Sequence, residues 1–323
     1  MGHETNHADR NGGHTDNSLE KAGFRDRFTA EAARYTDLVP GRVTAQFKNL
    51  YRVITAGGEV AAEVSGKLRY QAGRISDFPA VGDFVMLDRE TDREGHAMIH
   101  RILTRKSVFI RKAAGSGSEE QVVAANIDTV FICMSLNQDF NLRRMERYLS
   151  IAWDSGATPV IVLTKSDLCM NLPQKLAELE TVALGVEVIV TSSMKEEGFQ
   201  PVKAHLDKGK TIAFVGSSGV GKSTLINRLM GEERIKTREI RKDDKGRHAT
   251  THRELFLLPS GGVVIDTPGM RELGLEQADL SATFADINQL SEHCRFSDCS
   301  HTREPGCSVQ EAIAEGRLAA ERL

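Results

Sequence analysis

The chain has 323 residues, of which 40% are hydrophobic and 27% are charged, with a formal net charge of −3. This length predicts two or three domains, and the composition is that of an ordinary soluble globular protein. The mild acidity excludes a uniformly basic nucleic-acid-binding chain, so any RNA contact must come from local basic patches.

The N-terminal stretch MGHETNHADRNGGHTDNS predicts a flexible tail, because it is polar and rich in Gly, His and Asn. It lacks the apolar segment of a secretory signal, and no apolar run of the sequence reaches membrane-spanning length. We therefore expect a cytoplasmic protein without membrane contact. His3, His7 and His14 are interpreted as solvated tail residues, with metal binding as the alternative. Residues 19–36 predict an amphipathic arm or short helix, so that tail and arm together span 1–37.

Residues 38–112 predict a small β-barrel, with an OB-like barrel as the best interpretation. The basic stretch at 101–115 leaves this barrel, and it is either a solvated charged edge or a contact to a phosphate backbone. The predicted strands are GRVTAQF (41–47), YRVITA (51–56), EVAAEVSGKL (59–68), DFVMLD (83–88) and MIHRIL (98–103).

From residue 126 onward, apolar runs alternate with helical stretches, which predicts doubly buried strands of a parallel α/β sheet over 113–275. Helices are predicted at 141–156 and 172–184. The apolar runs are IDTVFICMS (127–135), TPVIVLTK (158–165), VEVIVTSS (186–193), KTIAFVGSS (210–218) and GGVVIDTPG (261–269).

The segment GSSGVGKST (216–224) fits the phosphate-binding loop G-x-x-x-x-G-K-[ST], and it lies between an apolar strand and a helix as that motif requires. Lys222 is expected to reach the β- and γ-phosphates and to act in catalysis, and Ser223 is expected to ligate Mg²⁺. The alternative is an ordinary glycine-rich turn. The predicted nucleotide contacts are Gly216, Ser217, Ser218, Gly219, Val220, Gly221, Lys222, Ser223 and Thr224.

DTPG (266–269) ends another apolar strand. A carboxylate at a strand end holds the Mg²⁺ shell in phosphoryl-transfer proteins, which predicts this role for Asp266. Gly269 is predicted to place a backbone N–H on the γ-phosphate.

TKSD (164–167) predicts a guanine-reading element formed by Thr164, Lys165, Ser166 and Asp167. The Asp167 carboxylate accepts two hydrogen bonds from guanine N1–H and its amine, a pair that adenine does not offer. Ser192 and Ser193, which follow the next strand, are placed to offer backbone N–H groups to guanine O6. The usual pattern has Asn where this chain has Thr164, and we expect the change to cost an amide that ties adjacent loops together.

The guanine-reading element precedes the phosphate loop, which reverses the usual order. Each motif ends its own buried strand, and parallel strands bring their carboxyl ends to one edge of the sheet. The order is therefore consistent with a circular permutation that leaves the site intact.

Cys294, Cys299, His301 and Cys307 are spaced C-x₄-C-x-H-x₅-C. Three thiolates and one imidazole suit a closed tetrahedral Zn²⁺ of structural type. His293 is an alternative to His301, and the alternative to a metal site is a group of unrelated thiols. The segment is helix-like, so residues 276–323 are predicted to form a helical zinc-binding domain.

With these motifs the chain resembles the RsgA/YjeQ family, bacterial circularly permuted GTPases that mature the small ribosomal subunit. The resemblance covers roughly residues 38–323. It also rests on QVVAANID (121–128), SLNQDFNLRRMERYL (135–149) and GRHATTHRELF (246–256). It implies an OB barrel, a permuted P-loop GTPase domain and a zinc domain with His301 as ligand. It further implies slow GTP hydrolysis that the small subunit stimulates. Ala249 and Thr164 depart from the family pattern.

The switch loop is expected between the phosphate loop and DTPG, within GRHATTH. Thr250 or Thr251 is predicted to cap Mg²⁺ and the γ-phosphate, and His248 to position the attacking water, since Met270 occupies the place of the usual Gln. His252 and a ribosomal group are alternatives for that role, and both histidines as solvated loop residues are a further one.

The function that we predict is Mg²⁺-dependent GTP hydrolysis coupled to late maturation of the small ribosomal subunit. GTP/GDP, Mg²⁺ and one structural Zn²⁺ are the expected cofactors, and the subunit with its rRNA is the expected partner of a monomeric protein. A non-enzymatic RNA-binding module is the alternative, and Asp167 argues against an ATPase.

Overall fold

The computed structural model describes residues 18–93, 95–112, 120–137, 140–192, 199–207, 209–217, 219–231, 253–259, 261–266, 285–296, 299–302 and 304–318. The tail histidines His3, His7 and His14 lie outside these residues. No helix in the described ranges is long and apolar enough to cross a membrane.

The predicted arm forms two short helices, α1 (Ser18–Lys21) and α2 (Arg27–Ala32). Phe28 of α2 stacks on Phe84, with ring centroids 4.2 Å apart, and both side chains are buried. The arm is therefore packed against the barrel that follows it.

The predicted OB-like barrel is confirmed. Five strands pair in the order β1-β2-β3-β5-β4, and β4 pairs back onto β1, which closes the barrel. In β2 and β3 every second residue is buried, as the alternating sequence pattern indicates. The strands are β1 (Val39–Gln46), β2 (Tyr51–Thr55), β3 (Gly58–Val64), β4 (Phe84–Leu87) and β5 (Ala97–Ile102).

The third predicted strand was too long, because it ends at Val64 and not at residue 68. Ser65 begins helix α3 (Gly66–Gln71), since its hydroxyl accepts a hydrogen bond from the N–H of Leu68 and caps the helix. A 3₁₀ turn at Ile75–Asp77 follows.

The basic stretch after the barrel has a role that the sequence did not reveal. Arg105 donates two hydrogen bonds of 2.8 Å to the buried carboxylate of Asp83, and Lys106 pairs with Asp128 at 2.6 Å. These two cations are therefore internal partners, neither a solvated edge nor free contacts for phosphate. Strands β6 (Val108–Lys112) and β7 (Glu120–Ala125) follow as an antiparallel pair of their own.

The predicted parallel sheet is confirmed, with the order β10-β9-β8-β11-β13-β12. Among these six strands β12 alone runs antiparallel to its neighbour, β13, and it was not predicted as a strand. The elements are β8 (Thr129–Ser135), α4 (Leu142–Asp154), β9 (Thr158–Thr164), α5 (Leu172–Glu180), β10 (Glu187–Val190), α6 (Gln200–Ala204), β11 (Thr211–Val215), α7 (Lys222–Met230), β12 (Arg253–Leu257) and β13 (Val263–Asp266).

The barrel and the parallel sheet share hydrogen bonds. Strand β12 pairs with the end of β1, with Glu254 opposite Ala45, so that eleven strands form one continuous sheet. Elsewhere in β1 the fully buried Arg42 donates to the carbonyl oxygens of Ala22 and Gly82 and lies over the ring of Phe84. Burial lowers the pKa of Arg42 to about 10, which leaves it charged at neutral pH.

The C-terminal region is helical, as predicted, with α8 (Ala285–Ser291) and α9 (Ser308–Ala314). Within the described residues, its buried apolar core consists of Cys307, Val309, Ala312 and Leu318, with partly buried apolar side chains packed against it. A core of this size stabilises a small domain only weakly, which makes a covalent or metal cross-link valuable there.

Candidate functional site

The carboxyl ends of the parallel strands bring the predicted nucleotide motifs to one edge of the sheet. Strands β8, β9, β10 and β11 all run in the same direction, and β13 is parallel to β11. Thr164 ends β9 opposite Ser135, the last residue of β8. Asp266 ends β13, which lies on the other side of β11.

The backbone of the phosphate loop requires its glycines. Gly216 and Gly221 have φ values of 139° and 102°, in the region that favours glycine. A Cβ on Gly216 would lie 2.3 Å from the carbonyl oxygen of Cys133, so no larger residue fits between this loop and β8. Helix α7 begins at Lys222, and its N-terminal N–H groups face the loop, an arrangement that favours anions.

The Lys222 side chain is buried, with 6% of its surface exposed. Its ammonium group donates hydrogen bonds of 2.6 Å and 2.5 Å to the carbonyl oxygens of Gly216 and Ser217. The cation is thus fixed inside the curve of the loop, where a phosphate-binding lysine belongs.

Cys133 lies under the same loop. Burial raises the pKa of its thiol to about 12, although the Lys222 ammonium group opposes the shift. It therefore stays protonated at neutral pH and serves as packing.

Thr164 joins the guanine-reading element to the phosphate loop. Its buried hydroxyl donates a hydrogen bond of 2.6 Å to the carbonyl oxygen of Val220. We expected the replacement of Asn to cost an amide that ties adjacent loops together, and in this structure the Thr164 hydroxyl joins the two loops instead.

Asp167 and Ser192 are brought together from consecutive loops. The Ser192 hydroxyl donates a 2.5 Å hydrogen bond to Oδ1 of Asp167, and the Ser166 N–H donates to the Thr191 carbonyl oxygen at 3.2 Å. Asp167 is exposed while Ser192 is buried, so the bond fixes an accessible carboxylate. Sequence reasoning proposed only backbone contacts for Ser192, and its hydroxyl role was missed.

The remaining predicted residues divide into two groups. Lys165, in a left-handed conformation, and the half-buried Ser223, Thr224 and Asp266 lie near the same edge of the sheet. Gly219 also has a positive φ of 78°. The others lie outside the described residues: Ser193, Ser218, His248, Thr250, Thr251 and Gly269.

Cys294, Cys299, His301 and Cys307 form a second site, in which the four ligand atoms all lie within 4.8 Å of one another. The Cys294 and Cys307 sulfurs are 3.9 Å apart, and His301 Nδ1 lies 3.6 Å from the first sulfur and 3.4 Å from the second. A tetrahedron with Zn–S bonds of about 2.3 Å has edges of about 3.8 Å, so the residues present fit zinc.

Other contacts hold these ligands in place. His301 has a φ of 57°, and its carbonyl oxygen accepts a 2.5 Å hydrogen bond from Gln310 Nε2. Although desolvation raises the pKa of the Cys294 thiol, hydrogen bonds from the backbone N–H groups of Val309 and Ser308 hold it below its ordinary value. His293 instead bonds the carbonyl oxygen of Gln289 at 2.9 Å, which leaves His301 as the histidine of the cluster.

Comparison with protein families gives a match to the model of the RsgA GTPase over residues 102–276. A relative from Lactiplantibacillus plantarum, named small ribosomal subunit biogenesis GTPase RsgA 2, is 50% identical over 307 residues, which cover 95% of this chain and 86% of that protein. A Listeria innocua relative, small ribosomal subunit biogenesis GTPase RsgA 1, is also 50% identical, over 93% of this chain and 85% of its own length.

Solved structures give the same answer for the fold. The crystal structure of YjeQ from Thermotoga maritima matches with a TM-score of 0.62 and 28% identity, over 88% of this chain and 94% of that one. YloQ, described as a circularly permuted GTPase, matches with a TM-score of 0.58 and 24% identity over 89% of this chain and 92% of that one. At this identity the match supports the fold only.

Proposed function

The chain belongs to the RsgA GTPase family, and we propose that it hydrolyses GTP during biogenesis of the small ribosomal subunit. The observation that carries this proposal is the hydrogen bond between Thr164 and Val220, which joins a guanine-reading element to a phosphate loop at one sheet edge. Two unrelated sequence matches would not be expected to be joined by a hydrogen bond in the folded chain.

The described residues supply the groups that bind and orient the nucleotide. The Lys222 ammonium group is held where it can shift from loop carbonyls to phosphate oxygens, and the N–H groups at the start of α7 face the same space. The Asp167 carboxylate selects guanine. Ser223 and Asp266 would hold Mg²⁺, which supplies charge neutralisation for phosphoryl transfer when bound.

The experiment that tests this assignment measures multiple-turnover GTP hydrolysis at several Mg²⁺ concentrations. Lys222→Ala is expected to abolish measurable turnover, and Ser223→Ala is expected to lose most of its Mg²⁺-dependent rate. Thr224→Ser, which keeps a hydroxyl on the same turn of the helix, is the control. Normal Mg²⁺-dependent turnover by Ser223→Ala would contradict the assignment.

We propose that His248 positions the attacking water. Thr250 or Thr251 would bind Mg²⁺ and the γ-phosphate, and the backbone N–H of Gly269 would donate a hydrogen bond to the γ-phosphate. The support is from the sequence alone: Met270 replaces the usual Gln, so the group must come from elsewhere. His248→Ala is expected to keep GTP affinity and lose most of the subunit-stimulated rate in single-turnover hydrolysis. Equal rates would point to His252 or to a ribosomal group.

The Cys₃His cluster would hold one structural Zn²⁺. Four protein ligands fill a tetrahedral shell, which leaves no position for substrate and excludes a catalytic role for this ion. We further propose that the partner is the small subunit with its rRNA, bound in the cytoplasm by a single copy of the chain. The names of the relatives support the first part of this statement.

A further inference from the structure

The groove on the face of the barrel that OB folds commonly offer to oligonucleotides holds more carboxylates than cations. That face is formed by β2, β3 and the flanking loops. Arg52 is paired with Glu59 at 3.0 Å, and the Asp92 carboxylate accepts a hydrogen bond from the N–H of Ala61. These residues line a groove of about 430 Å³. Its two carboxylates outnumber its one arginine, which opposes the approach of a polyanion.

A different part of the barrel combines cations with an exposed aromatic ring. Helix α3 packs its Leu68 side chain against the barrel core, and this turns Lys67, Arg69 and Tyr70 toward solvent. Tyr70 is 92% exposed, so almost none of its ring is covered by other parts of the described chain. A ring that has no apolar neighbour over it is available for stacking.

The charge of this segment is also unusual for the chain. Residues 66–78 hold three cations, Lys67, Arg69 and Arg74, and a single carboxylate, Asp77, in a chain whose net charge is −3. Asp77 accepts hydrogen bonds of 2.9 Å from the backbone N–H groups of Gly73 and Arg74. Within the described part of the chain, none of the three cationic side chains forms an ion pair.

The segment is held rigidly before any partner binds. Ser65 caps α3, and Arg105, itself fixed by Asp83, donates hydrogen bonds of 2.9 Å to the carbonyl oxygens of Ser76 and Phe78. Because the turn after α3 is fastened to a buried ion pair, its exposed side chains lose less freedom on binding.

We propose that α3 and the turn that follows it, residues 66–74, form an RNA-binding surface of this protein. Tyr70 stacks on an unpaired base, and Lys67, Arg69 and Arg74 contact the phosphates beside it. Aromatic stacking with flanking cations is how single-stranded RNA is bound without sequence selection. The inference rests on the proposed function only for the source of the RNA, which is then rRNA of the small subunit.

The test measures binding of a fluorescent twelve-nucleotide oligouridine to the full chain by anisotropy, at several salt concentrations and without GTP. Stacking contributes about 1–3 kcal/mol per base, so Tyr70→Ala is expected to weaken binding about 5- to 150-fold. Tyr70→Phe, which keeps the ring, is expected to bind like the unchanged chain. Lys67→Ala is expected to lower the slope of log affinity against log salt by about 0.7, one phosphate contact.

Two controls locate the surface. Trp153→Ala removes another exposed aromatic ring, 50% exposed on α4, and is expected to leave binding unchanged. Arg52→Ala alters the β2–β3 face and is expected to have no more than a small effect. Undetectable binding by the unchanged chain, equal binding by Tyr70→Ala, or a larger loss with Arg52→Ala would each overturn the proposal.

Subunit-stimulated GTP hydrolysis by the unchanged chain separates this inference from the proposed function. If small subunits stimulate hydrolysis but Tyr70→Ala leaves oligouridine binding unchanged, the RNA-binding surface is contradicted and the proposed function is not. Oligouridine binding that depends on Tyr70 without stimulation contradicts the proposed function alone. Unstimulated turnover should be the same for all of these variants, since none of the substituted side chains lies at the nucleotide edge.

Discussion

At the residue scale, the most informative side chain is Thr164. A hydroxyl at this position can either replace the amide of the common pattern weakly, or form an equivalent hydrogen bond between the two adjacent loops. The 2.6 Å hydrogen bond to the Val220 carbonyl oxygen favours the second interpretation, because Val220 lies in the phosphate loop and Thr164 ends the guanine-reading strand.

We predict that Thr164→Val, which keeps the shape and removes the hydroxyl, weakens GTP binding. A net hydrogen bond contributes about 0.5–1.5 kcal/mol, which corresponds to about a two- to tenfold loss of affinity. Thr164→Ser keeps the hydroxyl and is the control. Calorimetric titration with GTP measures the difference, and a valine variant that binds as tightly as the serine variant would show that the bond is dispensable.

We propose that Asp167 carries the base specificity. We predict that Asp167→Asn shifts the preference from guanosine toward xanthosine nucleotides, because the carbonyl of xanthine needs a donor where the amine of guanine needs an acceptor. Ser192→Ala, which removes the hydroxyl on Asp167 Oδ1, is expected to weaken GTP binding without that shift. Competition between GTP and XTP is the measurement, and an unchanged GTP preference in Asp167→Asn would remove this carboxylate from the site.

How far the sequence predicts these residues depends on the kind of contact. Motif spacing predicted Lys222 and Asp167 as nucleotide-binding residues, because a motif names side chains that are expected to face the ligand. It did not identify the hydroxyl bonds of Thr164 and Ser192, since those depend on which loops of a sheet edge become neighbours.

At the element scale, the C-terminal helices depend on their cross-link. Only four buried side chains form the core of the described part of this region, and one of them is the cluster residue Cys307. The other three cluster residues, Cys294, Cys299 and His301, lie in the loop between α8 and α9. A bound metal would add a cross-link to the hydrogen bonds that hold this loop against the helices, such as the one from Gln310 to the His301 carbonyl oxygen.

We predict one Zn²⁺ per chain, and that Cys299→Ser loses it and unfolds the last fifty or so residues while GTP still binds. Cys169→Ser, at a half-buried cysteine outside the cluster, is the control and should keep its zinc. Metal analysis and hydrogen exchange of residues 285–318 measure the two effects. Less than half an equivalent of zinc in carefully prepared protein would count against the assignment.

Elements differ in how well the sequence predicts them. The strands of the parallel sheet were found because an apolar run bounded by loops is typical of a strand that is buried on both faces. Helix α3 was missed because six residues with one apolar side chain, Leu68, give no helical period. Strand β12 was missed because its five residues, RELFL, are too few to show the period of a strand.

At the scale of the whole molecule, the barrel and the nucleotide site belong to one sheet. Asp266 pairs with Glu254, Glu254 with Ala45, and Ala45 with Arg52, so a row of neighbouring residues runs from the predicted Mg²⁺ ligand to the barrel surface. The sequence predicted the two domains and the permuted order, but pairing between segments so far apart in the chain leaves no local signal.

This continuity gives a physical reason for stimulation by a partner. Strand β1 of the barrel is hydrogen-bonded to β12, which directly precedes β13 in the chain, and we propose that a partner bound to the barrel acts on the nucleotide site through this pairing. The sequence predicts that Met270 stands where other GTPases have the Gln that orients water, so we expect the chain to need such help.

Single-turnover GTP hydrolysis, with and without saturating small ribosomal subunits and with Lys222→Ala beside the unchanged chain, is the decisive measurement of subunit-stimulated GTPase activity. We expect slow hydrolysis by the chain alone, a clearly higher rate with small subunits, no effect of large subunits, and no hydrolysis above background by the variant. A rate that small subunits leave unchanged, or a variant that hydrolyses GTP as fast as the unchanged chain, would contradict this expectation.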